Sequence, residues 1–372
     1  MLPLTNPDPN ARLAGRVWRP DIGPCVVAIR GERVIDITSK TIPTMRDLCE
    51  ADDPVAILRD APGEDIGGLT DIAPRLLAPV DLHAIKACGV TFADSMVERV
   101  IEEQADGDPD RANAIRGRVG KIIGDSLSGL VPGSEQAHKV KEVLQAEGLW
   151  SQYLEVGIGP YAEVFTKSQP MSAVGYGAEV GLHPVSKWNN PEPEIVLCVT
   201  SKGTIIGATL GNDVNLRDVE GRSALLLGKA KDNNASCALG PFIRFFDDGY
   251  TLDDVRTAEL TMTVAGTDGF TLDGTSSMTK ISREPADLAA QTIGRHHQYP
   301  DGFVLFCGTM FAPTKDRDAP GQGFTHHTGD VVEITESKLG TLRNIVRLST
   351  ECPEWTFGTS ALMRNLASRN LL

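Results

Sequence analysis

A single expected β-hairpin constrains this chain more than any other feature. The segment 191–213, PEPEIVLCVTSKGTIIGATLGND, contains two apolar runs separated by Ser-Lys-Gly. Glycine tolerates the positive φ of tight hairpin turns, so Lys202-Gly203 is expected to form a two-residue turn. Ser201 then pairs with Thr204, and the two apolar runs become neighbouring antiparallel strands.

This register brings three acidic side chains together. Glu192 and Glu194 are two residues apart and share one face of a strand. Counting back from the turn, Glu192 lies opposite Asp213, and directly opposed side chains are roughly 5 Å apart. Such carboxylates repel unless a cation lies between them, and oxygen ligands favour Mg²⁺, Mn²⁺ or Ca²⁺ over zinc or copper. From the residues alone, solvated charges on an exposed strand face remain an equal alternative.

The remaining pattern predicts an α+β protein. Helical spacing is found at 94–105, 110–123 and 134–147, whereas short apolar runs between Gly, Pro, Asn and Asp predict strands near the N-terminus and after residue 156. The length of 372 residues favours two domains. We place a small β-rich domain at 1–76 and the catalytic domain at 77–372, because a new apolar run begins at Leu76.

Charge and cysteine content narrow the function classes. The formal net charge of -14 disfavours nucleic acid and anionic membranes as partners. The seven cysteines are scattered without a C-x-x-C pair, which is typical of free thiols in a reducing compartment. No secretory signal or membrane-spanning run is visible, so a cytoplasmic location is expected.

Five ordered motifs give the chain from Leu76 onward a family resemblance. It resembles the fumarylacetoacetate hydrolase superfamily in its E-x-E, N-D-x-x-x-R-D, G-K, G-T and G-D-x-V-E-I…L-G-T-L-R-N patterns. These stand here as Glu192-Pro-Glu194, Asn212-Asp213-Val-Asn-Leu-Arg217-Asp218, Gly228-Lys229, Gly308-Thr309, and Gly329-Asp330-Val-Val-Glu-Ile through Leu339-Gly-Thr-Leu-Arg-Asn344.

The resemblance implies a fold, a metal and an assembly. It implies a mixed β-roll catalytic domain, usually in a homodimer or homotetramer. The metal is Mg²⁺, with Mn²⁺ as an alternative, and its ligands are Glu192, Glu194 and Asp213.

The resemblance also assigns roles around the substrate. Lys229 matches a lysine that faces the substrate, and Thr309 matches a threonine that binds a substrate oxygen. Arg217 matches an arginine near the substrate, although a buried structural ion pair with an Asp such as Asp218 explains it equally well. Glu220 stands where some members carry a glutamine that contacts the substrate.

One departure from the family pattern bears on the reaction. Family hydrolases have a histidine in an early segment that reads GVTFADS here, with a glutamate three residues later. Ser95 replaces that histidine, while Glu98 is kept. A serine has no pKa near neutrality and cannot activate water as the histidine does. Ser95 also suits a helix N-cap, with Glu98 completing a capping box.

Longer blocks resemble the branch of the family that dehydrates 2-keto-3-deoxy sugar acids. They include ACGVTFADSMVERVIEE, KWNNPEPEIVL and GNDVNLRDVEGRSALLLGKAKDNNASCALGPF. The implied substrate is a small 2-keto-3-deoxy sugar acid. In our hypothesis Lys229 removes the C3 proton and Glu98 protonates the leaving C4 hydroxyl. Thr309 and Arg217 hold the substrate carboxylate, and Ser95 and Glu220 are further candidate contacts.

Two other functions stay open at this point. One is a metal-dependent hydrolase or decarboxylase of β-diketo or 2-oxo acids, which would need another group to activate water. The other is a non-catalytic protein that binds a metal and a ligand.

Overall fold

The computed structural model describes residues 3–4, 8–112, 115, 130–146, 148, 150–311 and 313–372, and the side chains of residues 93–95 are outside this description. Its helices are α1 Met45–Cys49, α2 Pro54–Asp60, α3 Leu69–Ile72, α4 Ala93–Gln104, α5 Glu135–Ala146, α6 Gln152–Ile158, α7 Arg217–Glu220, α8 Leu227–Lys231, α9 Leu252–Arg256, α10 Pro285–Thr292 and α11 Thr359–Ser368. Short 3₁₀ turns cover Ala73–Arg75, Ala224–Leu226 and Met278–Lys280.

Two sheets form the framework of the described chain. Its strands are β1 Leu13–Arg19, β2 Gly23–Arg30, β3 Arg33–Asp36, β4 Glu64–Gly68, β5 Leu76–Leu77, β6 Ala84–Cys88, β7 Val164–Ser168, β8 Glu179–Leu182, β9 Pro193–Val199, β10 Ile205–Asp213, β11 Cys237–Phe245, β12 Glu259–Ala265, β13 Thr271–Ser277, β14 Phe303–Phe306, β15 Val331–Glu336 and β16 Gly340–Leu348. The eleven-stranded sheet has the order β4-β3-β2-β1-β11-β10-β9-β14-β6-β7, with β5 beside β1, and the five-stranded sheet has the order β13-β12-β15-β16-β8.

Both sheets are mixed. The pairs β14–β6 and β16–β8 are parallel, whereas the other pairs among the sixteen named strands are antiparallel. Helices and strands are interspersed along the chain, and β-structure dominates near the N-terminus and after residue 160. The α+β fold class with a mixed β-roll is confirmed.

Strand β9 is buried on both faces and separates two cores. Ile195 and Leu197 belong to a core shared with the five-stranded sheet, including Leu260 and Ile334. Cys198 lies in a second core. This alternation follows from the two-residue repeat of a strand.

The second core, which we call the shared core, joins the N-terminal region to the larger part of the chain. It contains Met45, Leu48 and Cys49 from α1 together with Val196, Cys198, Val304 and Phe306 from the central strands. Strand β1 also pairs with β11, so the N-terminal strands extend the same sheet. The division at 76/77 remains a prediction.

The predicted hairpin is present, but its turn is one residue longer than expected. The Thr200 amide donates to the Thr204 carbonyl at 2.9 Å, and Gly203 has a φ of +81°. Ile205 pairs with Val199 and Gly207 pairs with Cys198, so Ile206 is an extra residue between them. This bulge compensates for the longer turn, and the predicted register is restored beyond it.

The predicted helices at 94–105 and 134–147 correspond to α4 and α5. Of the predicted helix at 110–123, residues 110–112 and 115 are helical, and the rest lies outside the described residues. Ser95 is not the N-cap of α4, because the helix begins two residues earlier and Phe92 occupies the cap position. None of the described helices has the length and apolar character needed to span a membrane.

The shared core gives a stability prediction. Leu48 is fully buried there, whereas Leu225 is 95% exposed. We expect Leu48→Ala to lower the free energy of unfolding by about 2–5 kcal/mol, because it removes buried methyl groups and leaves a cavity. Leu225→Ala should change it by less than about 0.5 kcal/mol.

Urea unfolding followed by hydrogen-exchange mass spectrometry tests this prediction. In Leu48→Ala, β2 and β14 should lose protection at the same urea concentration because they border one core. Early loss of β2 with unchanged β14 would show that the N-terminal region is an independent folding unit.

Candidate metal centre and its cavity

Three buried carboxylates meet at the open end of the β9–β10 hairpin. Glu192 precedes β9, Glu194 lies within β9, and Asp213 ends β10. The Asp213 amide donates to the Glu192 carbonyl at 3.0 Å, which places these residues opposite each other as predicted. One carboxylate oxygen from each of the three side chains lies within 4.8 Å of the others. We call this set the carboxylate triad.

Burial changes the titration of the triad. It raises the pKa of Glu194 well above its usual value, and the neighbouring Asp213 and Glu192 carboxylates raise it further. Burial also raises the pKa of Glu192, although Lys231 and Arg99 oppose the shift. For Asp213, the effect of burial is outweighed by Lys167 and Lys231, so its pKa is lowered.

Two buried lysines contact the triad. Lys231, at the end of α8, has its Nζ 3.1 Å from Asp213 Oδ2 and also bonds Glu192. Lys167, on β7, has its Nζ 2.7 Å from Asp213 Oδ1. Burial opposes protonation of Lys231, but Asp213 and Glu192 outweigh it and raise its pKa. Lys231 therefore carries a positive charge in this arrangement.

An arginine from α4 holds the other side of the triad. Arg99 bonds Glu192, lies 2.5 Å from Glu102 and pairs with Glu220 at 3.0 Å. Its pKa is raised well above the usual value, because these carboxylates outweigh the cost of burial. Arg99 thus fixes Glu192 and Glu220 in one network.

The charges around the triad do not balance, and their excess of negative charge favours a divalent cation. Five carboxylates line the cavity, Glu163, Glu192, Glu194, Asp213 and Glu220, against two lining cationic side chains, Arg99 and Lys231. Lys167 adds a third positive charge from behind. Fully ionised, this set of described residues has an excess of two negative charges. An all-oxygen donor set with this excess fits a hard divalent ion such as Mg²⁺.

The cavity is small, with a volume of about 10 Å³, and Glu163 lines it. Glu163 directly precedes β7 and is half-buried. Burial and then the nearby Glu220 raise the pKa of Glu163 to about 7. Gly89 makes room for this side chain, since a Cβ at Gly89 would lie 1.8 Å from Glu163 Oε2.

The structure does not bring Lys229 into the cavity. Lys229 is exposed, and its Nζ lies 3.1 Å from His183 Nε2. Lys231 lies two residues later on the short helix α8. Residues two apart on a helix point to different sides, so only one of these lysines can face the triad. The sequence motif indicated the first lysine, whereas the structure places the second one there.

Thr309 and Glu220 line the cavity, whereas Arg217 is not among its described lining residues. Arg217 is fully buried, with its Nε 3.0 Å from Glu102 Oε1 and its Nη1 donating to the Pro313 carbonyl. It therefore forms a structural ion pair, but with Glu102 rather than with Asp218. Asp218 instead accepts from the Ser186 hydroxyl and the Lys187 amide.

Glu98, one of the two α4 candidates, is not among the described residues that line the cavity. Glu98 is half-buried and directly precedes Arg99. The side chain of Ser95 lies outside the described part of the structure.

Four charged residues at the triad or its cavity were absent from the sequence-based set: Arg99, Glu163, Lys167 and Lys231. Arg99 had a usable signal, because it lies on the apolar side of α4, three residues after Met96, and a charge at such a position needs a buried partner. For Lys231, the usable signal was its position two residues after Lys229 on the same short helix. Glu163 and Lys167 had no local signal, since β7 is brought to the triad only by tertiary contacts.

Comparisons with known proteins agree with this architecture. Residues 155–347 match the model of the fumarylacetoacetate (FAA) hydrolase C-terminal family. A probable 2-keto-3-deoxyxylonate dehydratase of Haloferax volcanii is 31% identical over 213 residues, covering 57% of this chain and 68% of that protein. A 2-dehydro-3-deoxy-D-arabinonate dehydratase of Saccharolobus solfataricus is 31% identical over 183 residues, covering 48% of this chain and 57% of that protein.

A solved structure supports the fold. A 2-keto-3-deoxy-D-arabinonate dehydratase complexed with magnesium and 2,5-dioxopentanoate superposes with a TM-score of 0.61 at 21% identity, covering 91% of this chain and 99% of that chain. The matched family model covers more than half of the sequence, and the matched region contains the carboxylate triad and Lys231. This chain is a member of the fumarylacetoacetate hydrolase family.

Proposed function

We propose that this chain is a magnesium-dependent hydro-lyase. It converts 2-keto-3-deoxy-D-xylonate, also called 2-dehydro-3-deoxy-D-arabinonate, to 2-oxoglutarate semialdehyde. The observation that carries the proposal is the buried carboxylate triad in a cavity whose surrounding charged residues, including Glu163 and Lys231, have an excess of negative charge. The names of the two curated relatives and the ligands of the solved neighbour support the choice of substrate.

The triad would hold the ion through Glu192, Glu194 and Asp213. A bound Mg²⁺ supplies a Lewis acid that polarises the substrate's 2-keto group and thereby makes the C3 proton more acidic. Burial and then the neighbouring Asp213 and Glu192 carboxylates raise the pKa of Glu194, so a bound cation would stabilise its ionised form.

Glu163 is our candidate for the base at C3. A carboxyl group with a pKa of about 7 is partly ionised at neutral pH and can both accept and return a proton. The space that Gly89 leaves lets this side chain lie inside the cavity wall. We therefore propose Glu163 as the base instead of Lys229, which is exposed beside His183.

Lys231 is our candidate for the acid that assists departure of the C4 hydroxyl. It contacts two triad residues and is positively charged there, so it is better suited to donate a proton than to remove one. Thr309 has the position to hydrogen-bond a substrate oxygen. Arg99 and Glu102 fix the wall that carries Glu220, and Arg217 supports Glu102 from behind.

The first prediction from the proposed function concerns the reaction itself. Incubation with 2-keto-3-deoxy-D-xylonate and Mg²⁺ should produce 2-oxoglutarate semialdehyde, and a chelator should stop the conversion. Proton NMR follows the loss of the sugar-acid signals and the appearance of the aldehyde. An unchanged sugar acid together with cleavage of acylpyruvates would instead establish the hydrolase alternative.

The second prediction separates the two lysines of α8. Lys231→Met should lower kcat by at least about 100-fold, because it removes a positioned proton donor. Lys229→Met should leave kcat within about twofold. Both variants should still bind Mg²⁺ in isothermal titration, which excludes loss of the metal as the cause. A loss of turnover confined to Lys229→Met would return the catalytic role to Lys229.

The third prediction uses the pKa of Glu163 in metal-free protein. Its folded-state pKa of about 7 exceeds the ordinary 4.5, so between these pH values the folded state keeps a proton that the unfolded chain releases. The free energy of unfolding therefore falls as pH rises through this window, on the order of 1–3 kcal/mol for this group.

Glu163→Gln should remove this pH-dependent loss. The variant should be more stable than the parent at pH 8 and similar at pH 4.5, as measured by urea unfolding. Glu142→Gln is the matched control, because Glu142 is exposed and far from the triad in sequence. Equal pH dependence in the parent and in Glu163→Gln would show that Glu163 titrates normally.

A further inference from the structure

A second cluster of metal-ligand types lies away from the carboxylate triad. Cys49 ends α1, His83 directly precedes β6, and Cys198 lies in β9. All three side chains are buried, and their candidate ligand atoms lie within 4.8 Å of one another. Three segments that are distant in sequence thus bring two thiols and one imidazole to a single point.

The separation of the two sulfurs suits a shared ion. The Sγ atoms of Cys49 and Cys198 are 3.7 Å apart. Two thiolates bound at about 2.3 Å to a tetrahedral zinc ion are separated by about 3.8 Å. A disulfide needs about 2.05 Å between the sulfurs, so this spacing is that of two ligands rather than of a bond.

The imidazole of His83 lies close to Cys198 and Asp81 but is not hydrogen-bonded to either. It is 0% exposed, and neither ring nitrogen has a hydrogen bond to another described residue. Leaving a buried polar group without a hydrogen bond is destabilising. A metal ion bound by one ring nitrogen would remove that cost.

A neighbouring carboxylate can orient the imidazole. His83 Nδ1 is 3.9 Å from Asp81 Oδ1. Asp81 is held in place by the amides of Met45, Arg46 and Leu82, at 2.7, 3.1 and 2.7 Å. A carboxylate behind a histidine ligand is a common arrangement at zinc sites, where it fixes the ring and strengthens it as a donor.

We propose that Cys49, His83 and Cys198 bind one zinc ion, with a water molecule in the fourth position. Binding releases the remaining thiol and imidazolium protons to solvent, and no electrons are transferred. Thiolate and imidazole select zinc, whereas the carboxylate triad selects magnesium, so the two sites would hold different ions. The zinc ion would join α1 of the N-terminal region to β6 and β9.

The zinc site and the triad lie on one side of the same strand. Glu194 and Cys198 are four residues apart in β9, about 13 Å along an extended strand, and therefore point the same way. The proposed zinc ion would thus fix the strand that supplies Glu194, without itself reaching the substrate cavity.

Cobalt substitution tests this proposal on the full chain. The protein is produced in medium supplemented with Co²⁺, so that the ion can bind during folding, and is purified in the presence of reductant. We expect about one Co²⁺ per chain with thiolate-to-cobalt charge-transfer absorption, since the ligands include two thiolates. Oxygen ligands cannot produce this absorption, so binding at the carboxylate triad is distinguishable.

Variants identify the ligands. Cys198→Ser and His83→Ala should each weaken metal retention by at least about tenfold, measured against a competing chelator with metal analysis of the retained protein. Cys25→Ala is the matched control, because Cys25 is buried in β2 outside the cluster. Its absorption should equal that of the parent.

The parent protein alone can overturn the proposal, even if a variant fails to fold. Absence of charge-transfer absorption, with all seven thiols free on denaturation, would exclude the site. A Cys49–Cys198 disulfide found by peptide mapping of protein purified without reductant, with no retained zinc, would also overturn it. Retained zinc that is unaffected by Cys198→Ser would place the ion elsewhere.

Discussion

The burial of unlike charges at the end of the β9–β10 hairpin is the constraint on which the rest of this structure depends. Each carboxylate of the triad would be prohibitively costly there without compensation. Lys167 from β7, Lys231 from α8 and Arg99 from α4 therefore converge on it. These three elements are far apart in the chain and meet at one charge cluster. With Glu163 and Glu220 included, its five carboxylates exceed its three cations by two charges.

Strand register and local periodicity explain what could be predicted from the sequence. The triad follows from counting along two apolar strands, because their faces alternate every two residues. Helices α4 and α5 follow from their apolar spacing. The family motifs supplied the fold class and Thr309. Each of these features depends on a short stretch of sequence. They could therefore be predicted from the sequence alone.

The rest of the site depends on contacts that no local pattern records. Lys229 and Lys231 differ only by their direction on α8, and that direction is set by how the helix packs. Glu163 reaches the cavity because β7 pairs with β6 beside Gly89, a pairing between residues some eighty positions apart. Arg217 carries the family motif, yet its charge is used to support Glu102. A motif identifies a residue, but packing decides whether it faces a cavity or a neighbour.

The extra residue at Ile206 has a consequence for how such a hairpin can change during evolution. The long turn shifts the two strands by one position, and the bulge shifts them back before the acidic residues are reached. Deleting one turn residue alone would slip Asp213 to the opposite side of its strand, away from Glu192. Length changes in this turn are therefore tolerated only in pairs, with a matching gain or loss at the bulge. Turn length and strand irregularity should accordingly covary among proteins that keep the triad.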